Sequence, residues 1–373
     1  YPCELQYEGI DYSTGQTECR LQGYSSRKKY PKKSFRIKFP EDSEHPGYSR
    51  KIILKADYND PTFMRSVLSF ETSRRLTDVP TPRIRYRRLD VNGEYYGLFM
   101  EIERISGDFM EDRGRDASQS IYDADFTPPY GGLVPLESAD LYPRYYQKRD
   151  YVEDEPLTDL IELIEDVLWE DYKLTADNGV TSLARTQDYV HLNEYVDYLA
   201  AMALIQNIDT IENNYTFSWQ QLNGRYAWEF YPWDMDISFG CQWQGANRNA
   251  ICRGLTSEMW WLSGIALDGV TIGAGYDVWC NMLIHLTLNH PWTRKRYEDR
   301  LCEFAHSSWW NEQLPRFVKA LHDTIKDEVA DDPNDLCATQ DEWQADIELL
   351  LQFVKDRKEY LQDEILCYDE DYR

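Results

Sequence analysis

The sequence predicts an α+β fold in two parts, a β-rich part up to Arg104 and a mainly helical part after it. Charge changes at this point: residues 1–104 hold 19 basic and 15 acidic side chains, a net charge of +4, and residues 105–373 hold 21 and 51, a net charge of −30. The pattern also changes, because apolar residues alternate with polar ones before Arg104 and recur at helical spacing after it. We therefore expect one two-lobed domain, with an N-lobe over residues 1–104 and a C-lobe over residues 105–373.

Three elements are predicted in the N-lobe. Residues 33–39 alternate apolar and polar side chains, as a half-buried strand does. Residues 61–76 place apolar side chains at helical spacing after an Asn-Asp-Pro turn signal. Residues 85–103 predict a hairpin, because the pair Asn92-Gly93 suits the positive φ angles of a tight turn.

The C-lobe is predicted to be helical with one β insertion. The apolar spacing predicts helices over residues 157–172, 189–208, 293–305, 314–329 and 340–365. Strands over residues 215–220 and 226–231 flank a second Asn-Gly turn. Residues 107–151 are the least regular stretch, rich in Gly, Pro, Asp and Tyr, and we expect a lobe connection or a substrate-facing insert there.

The charge of the chain limits its partners. The formal net charge is −26 and the sequence pI is about 4.6, so nucleic acid is not expected to bind. A run of ~18 apolar residues does not occur, and we expect no membrane span. The acidic C-lobe favours a protein partner with basic residues. The oligomeric state stays open.

The cysteines indicate the compartment. Eight are scattered without a CxxC pair, which argues against a zinc knuckle and favours disulfides in an oxidising environment. Buried thiols in a cytosolic protein are the alternative, and the disulfide connectivity stays open. The chain begins at Tyr1 rather than Met, so we expect that a leader was removed and that the protein is secreted or lies at the cell surface.

Side chains with oxygen atoms gather after the helix at residues 189–208. Asp209 follows this helix, Asn214 lies five residues beyond, and the hairpin then leads to Asp234 and Asp236. Hard divalent ions such as Mg²⁺ prefer one or two carboxylates, an amide oxygen and substrate phosphates. The order helix, Asp, Asn, hairpin, Asp is that of the catalytic half of protein kinases, where the first Asp orients the substrate hydroxyl and the others hold metal.

Turn formation is the competing explanation for these residues. Asp and Asn are common in loops for conformational reasons, so the spacing of Asp209 and Asn214 is a weak signal by itself. Asp234 and Asp236 would point the same way in a strand, between large apolar residues. Two like charges on one apolar face repel each other and resist burial unless a cation lies nearby. The aspartate pair therefore favours a metal site.

A basic segment in the N-lobe could hold phosphates. Seven Lys and Arg residues fall within residues 27–38, which contain no acid and follow a Gly-Tyr-Ser-Ser sequence. Glycine lets the backbone approach a phosphate, hydroxyls and amides donate hydrogen bonds, and a lysine on the next strand neutralises charge. A solvated basic edge strand explains the segment equally well, since lysine commonly protects exposed sheet edges. A nucleic-acid patch is the least favoured reading.

Taken together, these stretches resemble the CotH family, the spore-coat-H-type atypical protein kinases. The ordered set spans roughly residues 20–240 and is specific, although each piece alone is not. It consists of GYSS (23–26), YPKKSFRIK (30–38), NDPT (59–62), VNGEYYGLFME (91–101), NID (207–209), NNY (213–215) and WDMDISFG (233–240). The chain departs from the usual Arg-Gly-x-Ser-Ser of the family by having Gln22 before Gly23, and it lacks the GxGxxG, His-Arg-Asp and Ala-Pro-Glu motifs of ordinary kinases.

The resemblance implies a two-lobed, atypical protein-kinase-like fold. It also implies transfer of the γ-phosphoryl group of ATP to a Ser or Thr hydroxyl of a protein, with Mg²⁺ or Mn²⁺. Asp209 is the implied catalytic residue, and the implied metal ligands are Asn214, Asp234 and Asp236. The implied nucleotide-binding residues are Gly23, Ser25, Ser26, Lys33, Lys38, Glu71 and Glu101.

Two other functions stay open on the sequence. The first keeps the fold and the nucleotide but changes the transfer, for example to adenylylation or glutamylation, since a fold does not fix a reaction. The second is a catalytically inactive adhesion or binding module whose Trp and Tyr surfaces engage a partner.

Overall fold

The computed structural model describes residues 1–12, 17–40, 50–124, 131–149, 157–178, 180–207, 210, 213–244, 249–252, 281–334 and 339–365, and these residues adopt an α+β fold. Their strands form a five-stranded sheet, a four-stranded sheet and two two-stranded pairs. Within this part of the chain, no helix is both long and apolar enough to cross a membrane.

The five-stranded sheet is built by the first 103 residues. Its antiparallel strands lie in the order β3-β4-β5-β7-β6. Helix α2 connects β5 to β6, and the short helix α1 connects β3 to β4. The bounds are β3 Glu18–Gln22, α1 Tyr24–Lys28, β4 Ser34–Lys38, β5 Lys51–Lys55, α2 Arg65–Leu76, β6 Ile84–Val91 and β7 Glu94–Glu103.

The hairpin predicted at residues 85–103 is confirmed. Asn92 and Gly93 form its turn with φ angles of 53° and 85°, which fits the tight turn expected of this pair. The predicted strand at residues 33–39 and the predicted helix at residues 61–76 are also present, as β4 and α2. Helix α2 begins at Arg65, because the Asp60 carboxylate accepts the backbone N–H groups of Thr62 and Arg65 ahead of its first turn.

The N-terminal segment packs on one side of this sheet. Its strands β1 (Gln6–Tyr7) and β2 (Ile10–Asp11) pair with each other, and a disulfide joins Cys3 to Cys19 of β3. Tyr7 donates a hydrogen bond of 2.5 Å to the buried Glu101 of β7. Cys241 is also disulfide-bonded.

The four-stranded sheet has the order β11-β10-β8-β9. The predicted hairpin supplies β10 (Tyr215–Leu222) and β11 (Arg225–Pro232), in register from Tyr215–Pro232 to Leu222–Arg225. Strands β8 (Ile121–Ala124) and β9 (Tyr146–Lys148) come from residues 107–151, which the sequence predicts to be irregular. These strands are too short to give an alternation signal, and pairing with β10 supplies their stability.

The predicted helices are confirmed, with ends shifted by a few residues. The α-helices after β7 are α3 Gly107–Glu111, α4 Thr158–Ile161, α5 Trp169–Asn178, α6 Thr186–Tyr189, α7 Leu192–Leu204, α8 Met282–Asn289, α9 Pro291–His306, α10 Leu314–Ala330 and α11 Gln340–Ile365. A π-helical segment, Glu162–Leu168, joins α4 to α5 across the helix predicted at residues 157–172, and another, Trp309–Gln313, precedes α10. One pair of strands, β12 (Cys241–Gln244) and β13 (Asn249–Cys252), follows the hairpin. The main apolar core joins α2 and α7 to the four-stranded sheet and to the last helices.

The end of α10 is tied to the five-stranded sheet. Asp332 and Lys32 form a fully buried ion pair at 2.6 Å, and the same Asp332 oxygen accepts the backbone N–H of Leu98 in β7 at 2.8 Å. The lysine also donates to the Leu98 carbonyl at 2.6 Å. Gly97 has φ = 141°, and a Cβ atom there would lie 2.7 Å from Asp332. Glycine is therefore required for this close approach.

Candidate active site

A lysine and three aspartates meet where β5 and β11 end. Lys55 is the last residue of β5, Asp57 lies two residues beyond it, and Asp234 and Asp236 follow β11. We call these four residues the lysine–carboxylate cluster. Lys55 Nζ contacts Asp234 Oδ1, and it lies 2.9 Å from Asp236 Oδ1 and 3.0 Å from Asp57 Oδ1. The five-stranded sheet and the Asp234 loop are thus joined by one ammonium group.

The aspartate pair lies beyond the end of β11 rather than in a strand, and its predicted metal role stays a prediction. Both Asp234 and Asp236 direct an oxygen to one cation, which here is the ammonium group of Lys55. Burial disfavours the charge of Lys55, but the three carboxylates, Asp234 first, raise its pKa well above the ordinary value. Burial also raises the pKa of Asp234; Lys55 opposes this effect and Asp236 adds to it.

Asp57 is the most buried acid of the cluster. Its side chain is fully buried, and burial raises its pKa from 3.8 to about 7, against the lowering effect of Lys55. Its φ angle of 41° turns the backbone sharply after β5. The ammonium group of Lys55, 3.0 Å from Oδ1, is its main compensation, and Ser66 also favours the charged form.

Helix α2 holds the segment that contains Asp234 and Asp236. Arg65 Nε donates to the Ser238 carbonyl at 3.1 Å, and the hydroxyls of Ser69 and Ser238 lie 2.8 Å apart. Ser238 in turn donates to the Met235 carbonyl at 2.9 Å. Arg65 is itself held by Asp60 at 2.6 Å, and the side chains of this pair are fully buried. The backbone around the two aspartates is therefore fixed from α2.

Asn214 lies at the same end of the hairpin as Asp234. Tyr215 pairs with Pro232, so the residue before β10 and the residues after β11 leave the sheet together. Asn214 is half-buried and has φ = 58°. Asp209 lies outside the described residues, and its catalytic role stays a prediction. The end of α7, which precedes it, accepts a hydrogen bond of 2.7 Å from Phe239 N–H at the Ile205 carbonyl.

The predicted phosphate-binding segment lies between β3 and β4. Gly23 has φ = 80°, and Ser25 and Ser26 belong to helix α1. Ser26 Oγ accepts the backbone N–H of Ser34 at 2.7 Å, and Lys33 donates to the Ser26 carbonyl at 3.1 Å. The segment is therefore a closed turn, held by its own side chains.

The other predicted nucleotide-binding residues lie apart from the lysine–carboxylate cluster. Lys38, on β4, forms an ion pair of 3.7 Å with Glu18. Glu71 pairs with Arg74 and Arg75 of its own helix. Glu101 is buried on β7, where Tyr7, Arg85 and Arg87 all donate to it. The arginines outweigh the effect of burial and lower the pKa of Glu101. The structure does not bring these residues together, and their roles stay predictions.

Lys55 is the residue that the sequence reasoning missed. The sequence does contain a signal for this lysine: the apolar run Ile52-Ile53-Leu54 predicts a buried strand, and Lys55 ends that strand directly before a turn and a helix. A lysine on the third strand before a helix is where protein kinases place the residue that pairs the nucleotide phosphates.

The donor atoms of the cluster suit a hard divalent cation. Asp234 and Asp236 supply carboxylate oxygens, and Asn214 supplies an amide oxygen from the same end of the hairpin; such donors suit Mg²⁺ or Mn²⁺. Although three aspartates approach Lys55, no three His, Cys, Asp or Glu side chains in the described part of the chain are arranged so that they could hold a metal ion together. A cation held here would therefore complete its shell with water or with a phosphate, as Mg²⁺ commonly does.

Comparison with known proteins gives two findings. The model of the family described as CotH kinase protein matches residues 19–361. The chain is also 24% identical over 343 residues to the inner spore coat protein H of Bacillus subtilis (strain 168), an alignment that covers 90% of this chain and 84% of that protein.

Proposed function

The chain belongs to the CotH kinase protein family, and on that premise we propose that it is an atypical protein kinase. It transfers the γ-phosphoryl group of ATP to a Ser or Thr hydroxyl of a protein substrate. The observation that supports this most directly is the contact of Lys55 with both Asp234 and Asp236. In protein kinases a lysine of the third strand and a metal-binding aspartate act together on the ATP phosphates.

The arrangement of elements supports the same proposal. A five-stranded antiparallel sheet precedes the helical part, a glycine turn joins its first two strands, and helix α2 follows the strand of Lys55. Protein kinases place a glycine-rich loop, a lysine strand and a helix in this order. We therefore propose that the five-stranded sheet is the N-lobe and that the cleft beneath it takes ATP.

The proposed reaction is an in-line phosphoryl transfer in which the cluster, Asp209 and Asn214 have separate roles. The substrate hydroxyl oxygen bonds to the γ-phosphorus while the bond from that phosphorus to the β-phosphate oxygen breaks, which releases ADP. Asp209 accepts the hydroxyl proton. Lys55 neutralises phosphate charge, and Asp234, Asp236 and Asn214 hold the divalent ion. When bound, that ion offsets the charge that develops on the phosphate oxygens.

The location of the protein is proposed from its relative. The Bacillus subtilis protein is named as an inner spore coat protein. The Cys3–Cys19 disulfide fits an oxidising location outside the cytosol. We propose that this chain also acts in an outer or surface layer, on a protein of that layer.

A transfer assay tests the proposed function. The protein is incubated with Mn²⁺, a mixed set of basic proteins and ATP labelled at the γ or at the α position. We expect label from the γ position to reach protein, and we expect Asp234→Asn and Asp236→Asn to abolish the transfer. Asp116→Asn is the matched control, because Asp116 is bonded to Ser118 and Gln119 in a turn. If only label from the α position reaches protein, the reaction is adenylylation and the proposal of phosphorylation is wrong.

A further inference from the structure

Asp57 is the acid of the lysine–carboxylate cluster that has no part in the reaction proposed above. Asp234 and Asp236 are the proposed metal ligands, whereas Asp57 lies two residues after Lys55 in the chain. Its fully buried carboxylate lies 3.0 Å from the ammonium group of Lys55. A buried carboxylate costs free energy, and acids in this environment concentrate at functional sites. Asp57 is therefore the best candidate in the cluster for a role that the reaction does not yet include.

The three acids around Lys55 differ in their access to solvent. The side chain of Asp57 is fully buried, that of Asp236 is 10% exposed and that of Asp234 is 34% exposed. Asp57 therefore holds the ammonium group from the interior of the protein, and Asp234 meets it from the side that solvent reaches. A partner in the interior leaves that outer side available for the phosphate groups of a nucleotide, which must enter from solvent.

The backbone holds Asp57 in this position. Its neighbour Ala56 donates its N–H to Ser34 Oγ of β4 at 3.0 Å, and the Asp57 carbonyl accepts the N–H of Asp60 at 2.9 Å. Asp57 itself has φ = 41°, a conformation that is uncommon for residues other than glycine and that concentrates at functional sites. The turn between β5 and α2 therefore directs this carboxylate at Lys55.

The glutamate of helix α2 is directed elsewhere. In ordinary protein kinases the corresponding helix supplies a glutamate that pairs with the active-site lysine, and the position of the helix controls this pair. Here Ser69 faces the segment that holds the two aspartates. Glu71, the acid of this helix, lies about 200° further round it, because each residue advances by about 100°. Glu71 contacts Arg74 and lies 3.5 Å from Arg75, so the described contacts of Lys55 include no acid from α2.

We propose that Asp57 is the positioning residue of Lys55 and takes the place of the helix glutamate of ordinary kinases. This inference rests on the proposed function and extends it from the transfer to the control of the transfer. Because Asp57 and Lys55 belong to one short segment at the end of β5, their pair forms without any movement of α2. The lysine is therefore held ready for the ATP phosphates, and displacement of α2 does not control it.

A double-mutant cycle on the full chain tests the proposal, with transfer of γ-label from ATP to a mixed set of basic proteins in the presence of Mn²⁺. The assay is run at about pH 8, where Asp57 is charged, because its pKa is about 7. We expect Asp57→Asn to lower kcat/KM about 10-fold or more, because the lysine is no longer held in place. The double variant Lys55→Met with Asp57→Asn should be no slower than Lys55→Met alone, since Asp57 acts through the lysine. Asn adopts positive φ angles as Asp does, so the turn after β5 is kept.

Asp171→Asn is the matched control for the loss of a buried acid. Asp171 is buried like Asp57, but it accepts hydrogen bonds from Ser182 and Thr186 in the helical part. We expect its replacement to change kcat/KM by less than about 2-fold, because its contacts are separate from those of Lys55. A general loss of folding would lower the rate in both variants, whereas loss of the positioning contact lowers it in Asp57→Asn alone.

The outcomes distinguish the positioning role from the proposed function. If the unmodified protein transfers no γ-label, the proposed function fails and the positioning role fails with it. If it transfers label but Asp57→Asn is equally fast, or the losses from Asp57→Asn and Lys55→Met multiply, the positioning role alone is overturned. A cycle in which Lys55 is coupled to Glu71, measured with Glu71→Gln, would assign the pair to the helix and would also overturn it.

Discussion

Lys55 supplies one ammonium group to three carboxylates, so its removal would leave all three without their shared cation. Removing one partner of a buried ion pair usually costs more than the pair contributes, because the remaining charge is left without compensation. Asp57 would lose most from removal of Lys55, because its side chain is fully buried whereas that of Asp234 is 34% exposed to solvent.

The substitution Lys55→Met should lower the free energy of unfolding by about 3 kcal/mol, because it leaves the Asp57 carboxylate buried without a cation. It should also lower phosphoryl transfer about 100-fold or more, through the loss of one charge-stabilising donor. Urea unfolding without divalent ions measures the first effect. The double variant Lys55→Met with Asp57→Asn should regain part of that loss, and a strictly additive double variant would contradict the coupling.

Asp57 should make stability depend on pH. Its pKa of about 7 in the folded protein lies above its ordinary value of 3.8, so the folded state holds a proton that the unfolded chain has lost over this range. Stability should therefore fall as pH rises from about 4 to about 7, by at most about 1.4 kcal/mol per pH unit. Asp57→Asn should flatten the profile in urea unfolding, and an unchanged slope would exclude Asp57 as its source.

Helix α2 is the element that positions the aspartate loop. Its contacts with Ser238 and Met235 reach the loop through backbone carbonyls, so they fix the path of the chain rather than one side chain. Asp60 supports all of this, because its carboxylate holds both Arg65 and the backbone at the start of the helix. If α2 corresponds to the kinase helix that pairs a glutamate with the active-site lysine, as the proposed function implies, that pair is absent among the described contacts, because the glutamate of α2, Glu71, is paired with Arg74 and Arg75.

Asp60→Ala should lower the free energy of unfolding by about 3 to 5 kcal/mol, since it leaves the Arg65 guanidinium buried and unpaired. Ser69→Ala removes a contact of the same helix to the same loop but leaves no charge behind, so about 1 kcal/mol is expected. Urea unfolding of the two variants compares these costs directly. Equal losses would show that Asp60 acts only as an ordinary hydrogen-bond acceptor.

Local patterns predicted the elements where they were long or had a strong turn signal. The Asn92-Gly93 hairpin, helix α2 and helix α7 follow from periodicity and turn residues, which depend on neighbours in sequence. Strands β8 and β9 did not, because each has only three or four residues and depends on pairing within the sheet. The order of strands in either sheet is likewise a property of tertiary contacts.

At the scale of the whole molecule, the ion pair of Lys32 with Asp332 joins residues 300 positions apart. Sequence patterns carry no information about such a partner, and the basic segment at residues 27–38 gave no reason to single out Lys32. The same reason explains why Lys55 was not predicted as a site residue. Its strand is predictable from the apolar run before it, but its approach to Asp234 and Asp236 depends on how the sheet packs against the hairpin. The need of the aspartate pair for a nearby cation is predictable from sequence, because two like charges in an apolar segment are a local feature, whereas its metal role stays a prediction.

Gly97→Ala should test this long-range tie. At φ = 141° a Cβ atom would lie 2.7 to 2.9 Å from Asp332 and Lys32, so the ion pair would have to shift. We expect the free energy of unfolding to fall by about 2 to 4 kcal/mol. Gly224→Ala is the matched control, because Gly224 also has a positive φ, 81°, but no atom lies within 4 Å of the added carbon. A similar loss in both variants would mean that backbone strain alone is responsible.

The contacts between the end of α10 and β7 limit how the five-stranded sheet can move. Asp332 accepts the backbone N–H of Leu98, and the Tyr95 hydroxyl donates to the Glu328 carbonyl at 2.9 Å. The β6–β7 margin of the five-stranded sheet is therefore anchored to the end of α10. Strand β3 lies at the opposite margin of that sheet, next to β4 and Arg36. The β6–β7 margin is therefore a fixed edge: a rigid-body rotation of the five-stranded sheet would turn about it, and the β3 margin would travel furthest.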